Sequence, residues 1–249
     1  MDGKYIAVKG YDQKIPFIYG IDYLTHDIPL GNLFAAEDEM SFVSFLVKLK
    51  SLGYWLRAVV ADDRQGLKSA LLRVFPRARL QLCHTHYLEN LRQRLYIRTE
   101  VRYRNFFYAL KRIFRKARSE EQVLQELRFI DARNDPMLLN ILQEVKNRVA
   151  DLFAFRQTQG CPNSTNLIES YNSHIHGRLK TIKGFQSFVS AKTWLNASLI
   201  RRRTKPLTDC QGQFRQLNGF ASLQMTIKDL KDYPIWILGI KLPKNQPER

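Results

Sequence analysis

The spacing of apolar positions changes character along this chain. Met1 to Val8, residues 14–23 (KIPFIYGIDY) and residues 28–36 (IPLGNLFAA) are short β-rich stretches. Phe42, Phe45, Leu46 and Leu49 then recur at helical spacing, which predicts a helix between Glu37 and Gly53. The run Leu56, Ala58, Val59, Val60 and Ala61 has the composition of a strand buried on both faces. Leu67, Ala70, Leu71 and Val74 predict a helix that stops before Pro76. Leu80 and Leu82 alternate with Arg79 and Gln81 in a further short strand, and a helix follows to Leu91. The expected order is β-β-β-α-β-α-β-α, with three antiparallel strands close in sequence and then βαβ crossovers. That is an α/β fold on a mixed sheet flanked by helices.

From Arg92 to Gln159 only helical periods remain. Phe106, Phe107, Leu110, Ile113 and Phe114 form one apolar face, and Val123, Leu124, Leu127 and Ile130 a second. A third runs from Met137 to Leu152, and Arg and Lys fill the intervening positions. Three helices are expected here. After the turn Gly160-Cys161-Pro162-Asn163, the residues Ile168, Tyr171, Ile175 and Leu179 form a stripe. Asn166 and Glu169 stand at capping-box spacing. A last helix is predicted over 187–203, ending in Arg201-Arg202-Arg203. The tail carries apolar clusters at 220–225 and 235–240 without a clear period. The all-helical segment over 92–159 is either inserted into the α/β layer, giving a core of 1–91 and 160–203, or follows it, and a tail runs over 204–249.

Charge adds a partner to this picture. The 249 residues hold 40 Lys+Arg against 23 Asp+Glu, a net +17, with 45% apolar residues as in a globular chain. Such an excess predicts a polyanion, and nucleic acid is the natural one because neutralised phosphates release counterions. The positive charge is spread through the chain, which disfavours a membrane surface. Three scattered cysteines, Cys83, Cys161 and Cys210, make no disulfide framework and suit a reducing compartment. No apolar run reaches about 18 residues and no secretory leader is evident, so a soluble cytoplasmic protein is expected.

The candidate chemistry lies in sparse acids on a basic background. Metal-dependent phosphoryl transfer needs carboxylates that converge, because hard divalent ions take oxygen ligands and Mg²⁺ takes few of them from protein. Asp2 on the first strand, Asp62 at the end of the buried strand, and Glu169 on the helix after the insertion are the candidates. A carboxylate at the C-terminal end of a strand is where open α/β sheets place their ligands. It also serves as a helix cap, and Glu169 in a first turn also serves as a dipole partner. Cys83-x-x-His86 suggests a second option, a zinc site completed by His174 and His176. Burial of Cys83 as a small hydrophobe, with His86 near the acids, is the competing reading, and His84 is expected to be incidental.

The motifs DGKY at Asp2, ADDRQGL at Asp62, CHTH at 83–86 and NLIESYN with RLK around Glu169 resemble the catalytic core of DDE transposases. The likeness is to the Mutator-like group and related bacterial insertion-sequence transposases, and it covers about residues 2 to 200. It implies an RNase H-like fold that cleaves and joins DNA at transposon ends and target, using Mg²⁺ or Mn²⁺, as a homo-oligomer on DNA. Asp2, Asp62 and Glu169 would then be catalytic metal ligands. Asp62 is preferred to Asp63 because the family's Asp stands four residues before the glycine, here Gly66. Cys83, His86, Asn166 and Asn172 would lie near the active site, and Arg178, Lys180, Lys183, Arg201, Arg202 and Arg203 would contact DNA. If bacterial, the protein would associate with the nucleoid.

In that family the first acid has several strand residues ahead of it and a DNA-binding region before the core. Here only Met1 precedes Asp2, so an N-terminally truncated transposase is expected. Two other functions compete: a catalytically silent remnant that only binds nucleic acid, and an RNase H-like nuclease acting on RNA or hybrids.

Overall fold

A computed structural model describes residues 1–132 and 134–227. The apolar cluster at 235–240 lies outside them. In chain order the elements are β1 Asp2–Ile6, β2 Ile15–Tyr19, β3 Gly31–Leu33, α1 Glu39–Ser51, β4 Ala58–Ala61, α2 Leu67–Val74, β5 Arg79–Leu82 and α3 His84–Arg94. This is the order that periodicity predicts. The helical segment then holds α4 Arg104–Lys116, α5 Glu120–Leu127, α6 Pro136–Asn147, α7 Val149–Leu152 and α8 Ala154–Gln157, five α-helices among the described residues where three are expected. The third predicted helix is broken at Arg148 and again at Phe153, whose backbones leave the helical basin. Last come α9 Asn166–Leu179, α10 Phe188–Thr204 and α11 Ser222–Thr226.

The chain forms two compact units. One comprises Met1 and residues 38–169, the other residues 2–37 and 170 onward. Strand pairing among the described residues gives two small sheets instead of one continuous mixed sheet. β1-β2-β3 is antiparallel and β4-β5 is parallel. Both orientations are those expected from the connection lengths, since a short link permits only an antiparallel return and a crossover helix permits a parallel one. The fold class is thus mixed α/β with many helices.

In the first unit, β4 is not buried on both faces. Val59 and Ala61 are buried while Ala58 and Val60 are partly open, so the strand alternates like one with a single covered face. Asp38 caps α1 by accepting from the Ser41 amide at 2.8 Å, and this bond lowers the Asp38 pKa. Gly66 makes the turn into α2 in the left-handed region at φ 79°, and a Cβ there would stand 2.9 Å from the Glu39 Cα. Only glycine satisfies both conditions. The helical segment is fastened to β5 by Gln81, which is fully buried. Its amide donates to the carbonyls of Leu82 and Leu152 at 2.7 and 2.8 Å and accepts from the Phe155 amide at 2.8 Å.

In the second unit, buried Phe17, Ile18 and Tyr19 of β2 are the centre of the three-stranded sheet. Ser187 and Ser190 form a capping box at the start of α10. At the other end of that helix Asp27 is wholly buried and fully engaged. It receives both Nε and Nη2 of Arg203 at 2.9 and 2.8 Å, and the hydroxyls of Ser222 and Thr226 at 3.0 and 2.8 Å. This carboxylate joins the β2–β3 loop to α10 and α11.

Candidate active site

The first unit gathers five polar side chains near the C-terminal ends of its two parallel strands. Asp62 follows β4 directly. Cys83 follows β5 and opens α3, and its backbone amide donates to the Ala61 carbonyl at 2.9 Å. One helical turn later His86 turns its Nδ1 onto Asp62 Oδ1 at 2.7 Å. The same nitrogen lies 3.7 Å from Glu169 Oε1. One imidazole edge therefore touches two carboxylates that stand 107 positions apart in the sequence.

Thr165 completes the group. Its hydroxyl donates to Glu169 Oε1 at 2.7 Å and lies 3.2 Å from Cys83 Sγ and 3.3 Å from His86 Nδ1. A hydroxyl has one proton, and the shortest contact assigns it to the Glu169 carboxylate. His86 Nδ1 also lies 3.3 Å from Cys83 Sγ, so one ring edge meets Asp62, Cys83 and Thr165 together. Thr165, and not Asn166, precedes the first turn of α9, and its carbonyl accepts from the Glu169 amide at 3.1 Å. The expected Asn166–Glu169 capping box is replaced by a Thr165–Glu169 pair. Asn166 is exposed at the start of the helix.

Cys83 is buried, and its sulfur accepts from the Thr165 amide at 3.4 Å, so it packs as a small side chain inside a polar turn. Asp62, Cys83 and His86 nonetheless present ligand atoms within 4.8 Å of one another. The Asp62 and Glu169 side chains are about a quarter and two-fifths exposed, so both carboxylates open to solvent. Their oxygens are the hard donors that Mg²⁺ or Mn²⁺ takes, and they fit such an ion better than the enclosed thiol does. Asp63 turns elsewhere, onto Arg148 Nη2 at 2.5 Å. The two adjacent aspartates thus have different partners, Arg148 for Asp63 and His86 for Asp62.

His84, expected to be incidental, is a core residue. It is buried among Phe114, Phe153 and Phe155, with ring centroids at 4.8 to 5.3 Å, and its Nε2 bonds the Leu152 carbonyl at 2.5 Å. Burial pushes its pKa down to about 4, against a smaller upward pull from the Leu152 carbonyl. His84 is therefore neutral at pH 7.

The second unit holds Asp2 in its own small network. Asn172 Nδ2 donates to Asp2 Oδ2 at 2.5 Å, and the Gly3 amide donates to Oδ1 at 2.7 Å. The Tyr19 hydroxyl donates to Asn172 Oδ1 at 2.6 Å, which fixes which end of the Asn172 amide faces Asp2. Burial and then the Asp2 charge raise the Tyr19 pKa, so the phenol stays a donor. Tyr171 packs edge-on against Tyr19, and burial lifts its own hydroxyl to about 12.

Basic residues surround the outer part of α9. Arg178, Lys180, Lys183 and Arg201 are exposed, as phosphate contacts require. His174 and His176 are also exposed on α9. Lys4, then desolvation, then Lys180 and Lys14, lower the His176 pKa, a sign of dense positive charge there. Arg202 stacks its guanidinium 5.9 Å from the Tyr171 ring centre. Arg203 departs from the expected set, because its guanidinium is turned inward onto Asp27.

Residues 28–202 match the family model described as "Transposase, Mutator family". The chain belongs to the Mutator family of transposases. Among curated relatives, it is 28% identical over 185 residues to the transposase for insertion sequence element ISRM5 of Rhizobium meliloti (strain 1021), covering 66% of this chain and 42% of that protein. It is 26% identical over 159 residues to the transposase for insertion sequence element IS1201 of Lactobacillus helveticus, covering 62% of this chain and 42% of the relative. A third is the transposase for insertion sequence element IS256 in transposon Tn4001 of Staphylococcus aureus, 26% identical over 171 residues, with 67% and 43% covered. The chain thus spans less than half the length of these relatives. Asp62, Cys83, His86 and Glu169 lie inside the transposase-matched region, and Asp2 precedes it. No helix among the described residues is long and apolar enough to cross a membrane.

Thr165, Tyr19 and His84 escaped sequence reasoning as site or support residues. Thr165 had one available signal, a hydroxyl residue directly ahead of a helical stripe, but Asn166 beside it carried the stronger box spacing.

Proposed function

We propose that this chain is the catalytic segment of an insertion-sequence transposase, which cleaves and joins DNA strands at element ends. The observation that carries this reading is the His86 imidazole lying against both Asp62, at the end of β4, and Glu169, in the first turn of α9, in a chain of net charge +17. Asp62 and Glu169 would hold Mg²⁺ or Mn²⁺, with Asp2 as a third carboxylate on the strength of the motif resemblance. Bound ions of that class stabilise the attacking and leaving oxygens of an in-line phosphoryl transfer. The chain's own part is to position: His86 orients Asp62, Thr165 orients Glu169, and Asn172, fixed by Tyr19, orients Asp2. An RNase H-like arrangement of the core, 1–91 with 160–203, belongs to the same proposal, as does assembly of several copies on DNA. Arg178, Lys180, Lys183 and Arg201 supply phosphate contacts.

Incubation with supercoiled DNA and Mn²⁺ tests the reading. Nicking is expected from the wild-type chain and is expected to vanish in Glu169→Gln. Tight, salt-sensitive DNA binding with no metal-dependent nicking would instead establish a binding remnant, and cleavage confined to RNA or hybrids would establish a ribonuclease.

A further inference from the structure

A groove of about 790 Å³ lies in the first unit, walled by α3 and α4. The two helices present it with matched stripes. On α4, Arg104, Tyr108, Lys111 and Arg115 follow one another at i, i+4, i+7 and i+11, on the side away from the apolar stripe of Phe106, Leu110 and Ile113. On α3, Thr85, Leu88, Glu89 and Arg92 do the same at i, i+3, i+4 and i+7. Arg98 adds a cation from the connection between them.

The charge of this groove is lopsided. Five cations, Arg92, Arg98, Arg104, Lys111 and Arg115, face a single acid, Glu89. Arg92 neutralises that acid with a two-point contact at 2.6 and 2.7 Å. Arg104 is held by the carbonyls of Ile97 and Arg98 at 3.1 and 2.9 Å, so its charge is fixed at the wall. Lys111 and Arg115 are exposed and make no ion pair among the described residues. Between the cations stands Tyr108, 57% exposed, its ring braced edge-on at 5.6 Å from buried Phe107. A large exposed aromatic ring within a row of cations suits a nucleobase face beside a phosphate backbone. Bases in a duplex are stacked on one another and cannot lie on such a ring. The far end of the groove reaches Asn163, Ser164 and Asn166, the residues that lead into the helix of Glu169.

We infer that this groove binds unpaired DNA, with the phosphates on Lys111, Arg115 and Arg98 and a base stacked on Tyr108. The inference rests on the transposase reading for its ligand, and it places a strand opened near a cleavage point along the α3–α4 face. Sequence preference is not expected, because every base offers a π-face.

Fluorescence anisotropy of the full chain with labelled oligo(dT) and with a labelled duplex of the same length tests it. Tyr108→Ala is expected to weaken oligo(dT) binding roughly five- to 150-fold, with Tyr108→Phe restoring it and duplex binding little changed. The double variant Lys111→Ala/Arg115→Ala is expected to flatten the log–log salt dependence for oligo(dT) by about 1.4, or 0.7 for each lost phosphate contact. Wild-type-like oligo(dT) binding by both variants overturns the groove while leaving the transposase reading intact. Equal losses on single strand and duplex overturn the stacking role. A wild-type chain that binds neither DNA overturns the groove and the nucleic-acid reading together.

Discussion

Two carboxylate centres in this molecule use similar chemistry in opposite ways. Asp27 in the second unit is entirely out of solvent and collects four donors, two from Arg203 and one each from Ser222 and Thr226. Asp62 and Glu169 in the first unit remain partly open and meet at one imidazole nitrogen, helped by one hydroxyl. A buried charge must be paired and hydrogen-bonded to be tolerated, and Asp27 meets that condition completely. The pair around His86 is partly exposed, and a cation can take the place of solvent on its oxygens. Complete burial with four donors marks the carboxylate that holds the fold, whereas the Asp62 and Glu169 side chains keep part of their surface in solvent.

The sharpest way to break this contrast is to neutralise each centre in turn. Asp62→Asn is expected to lower Mn²⁺-dependent nicking by about a hundred- to a thousandfold, the scale for losing one group that acts on developing charge. Its urea midpoint should stay close to the wild-type value. Asp27→Ala should do the reverse, costing about 3 kcal/mol of stability by stranding Arg203 and two hydroxyls. Equilibrium urea unfolding reads that loss. If Asp27→Ala abolished nicking at unchanged stability, the division between the centres would be wrong.

The pH dependence of stability sharpens the picture of the first unit. His84 titrates near 6.5 when unfolded and near 4 when folded, so the unfolded chain binds the extra proton between those values. Stability is thus fully present above about pH 6.5 and falls as pH drops toward 4, by up to about 3 kcal/mol from this group. His84→Phe should flatten that acid limb, because the Leu152 carbonyl keeps its bond from Gln81. Urea midpoints measured across the window check the sign. The smallest expected effect is at Thr165. Thr165→Val should cost about 1 kcal/mol through one lost hydrogen bond, and lower nicking modestly by loosening Glu169. Thr165→Ser should restore both.

Much of this was legible from periodicity. The β-β-β-α-β-α-β-α order, the parallel β4–β5 pair and the stripe of Ile168, Tyr171 and Ile175 follow from local spacing, because each element buries one face. The preference for Asp62 over Asp63 rests on the family's spacing to the glycine, here Gly66, and that spacing gave no sign of the Asp63–Arg148 ion pair. The missed features depend on partners remote in sequence. Nothing near Asp27 announces Arg203, Ser222 or Thr226, and nothing near His84 announces Phe114 from α4, Phe153 from the α7–α8 junction and Phe155 from α8. The helical segment was read as three helices because apolar periodicity continues through Arg148 and Phe153, where backbone geometry does not.

The opening turn of α3 has a mechanical corollary. His84 and His86 sit two residues apart on one helix, the first locked against the Leu152 carbonyl and three aromatic rings, the second against the acids. Successive helical residues are rotated by about 100°, so anchoring the first ring fixes the bearing of the second. A one-residue insertion between them would unseat one ring or the other, whichever the helix chose to keep. The tetrapeptide at 83–86 thus behaves as a gauge that ties the aim of the imidazole at the carboxylates to how firmly the helical segment is packed.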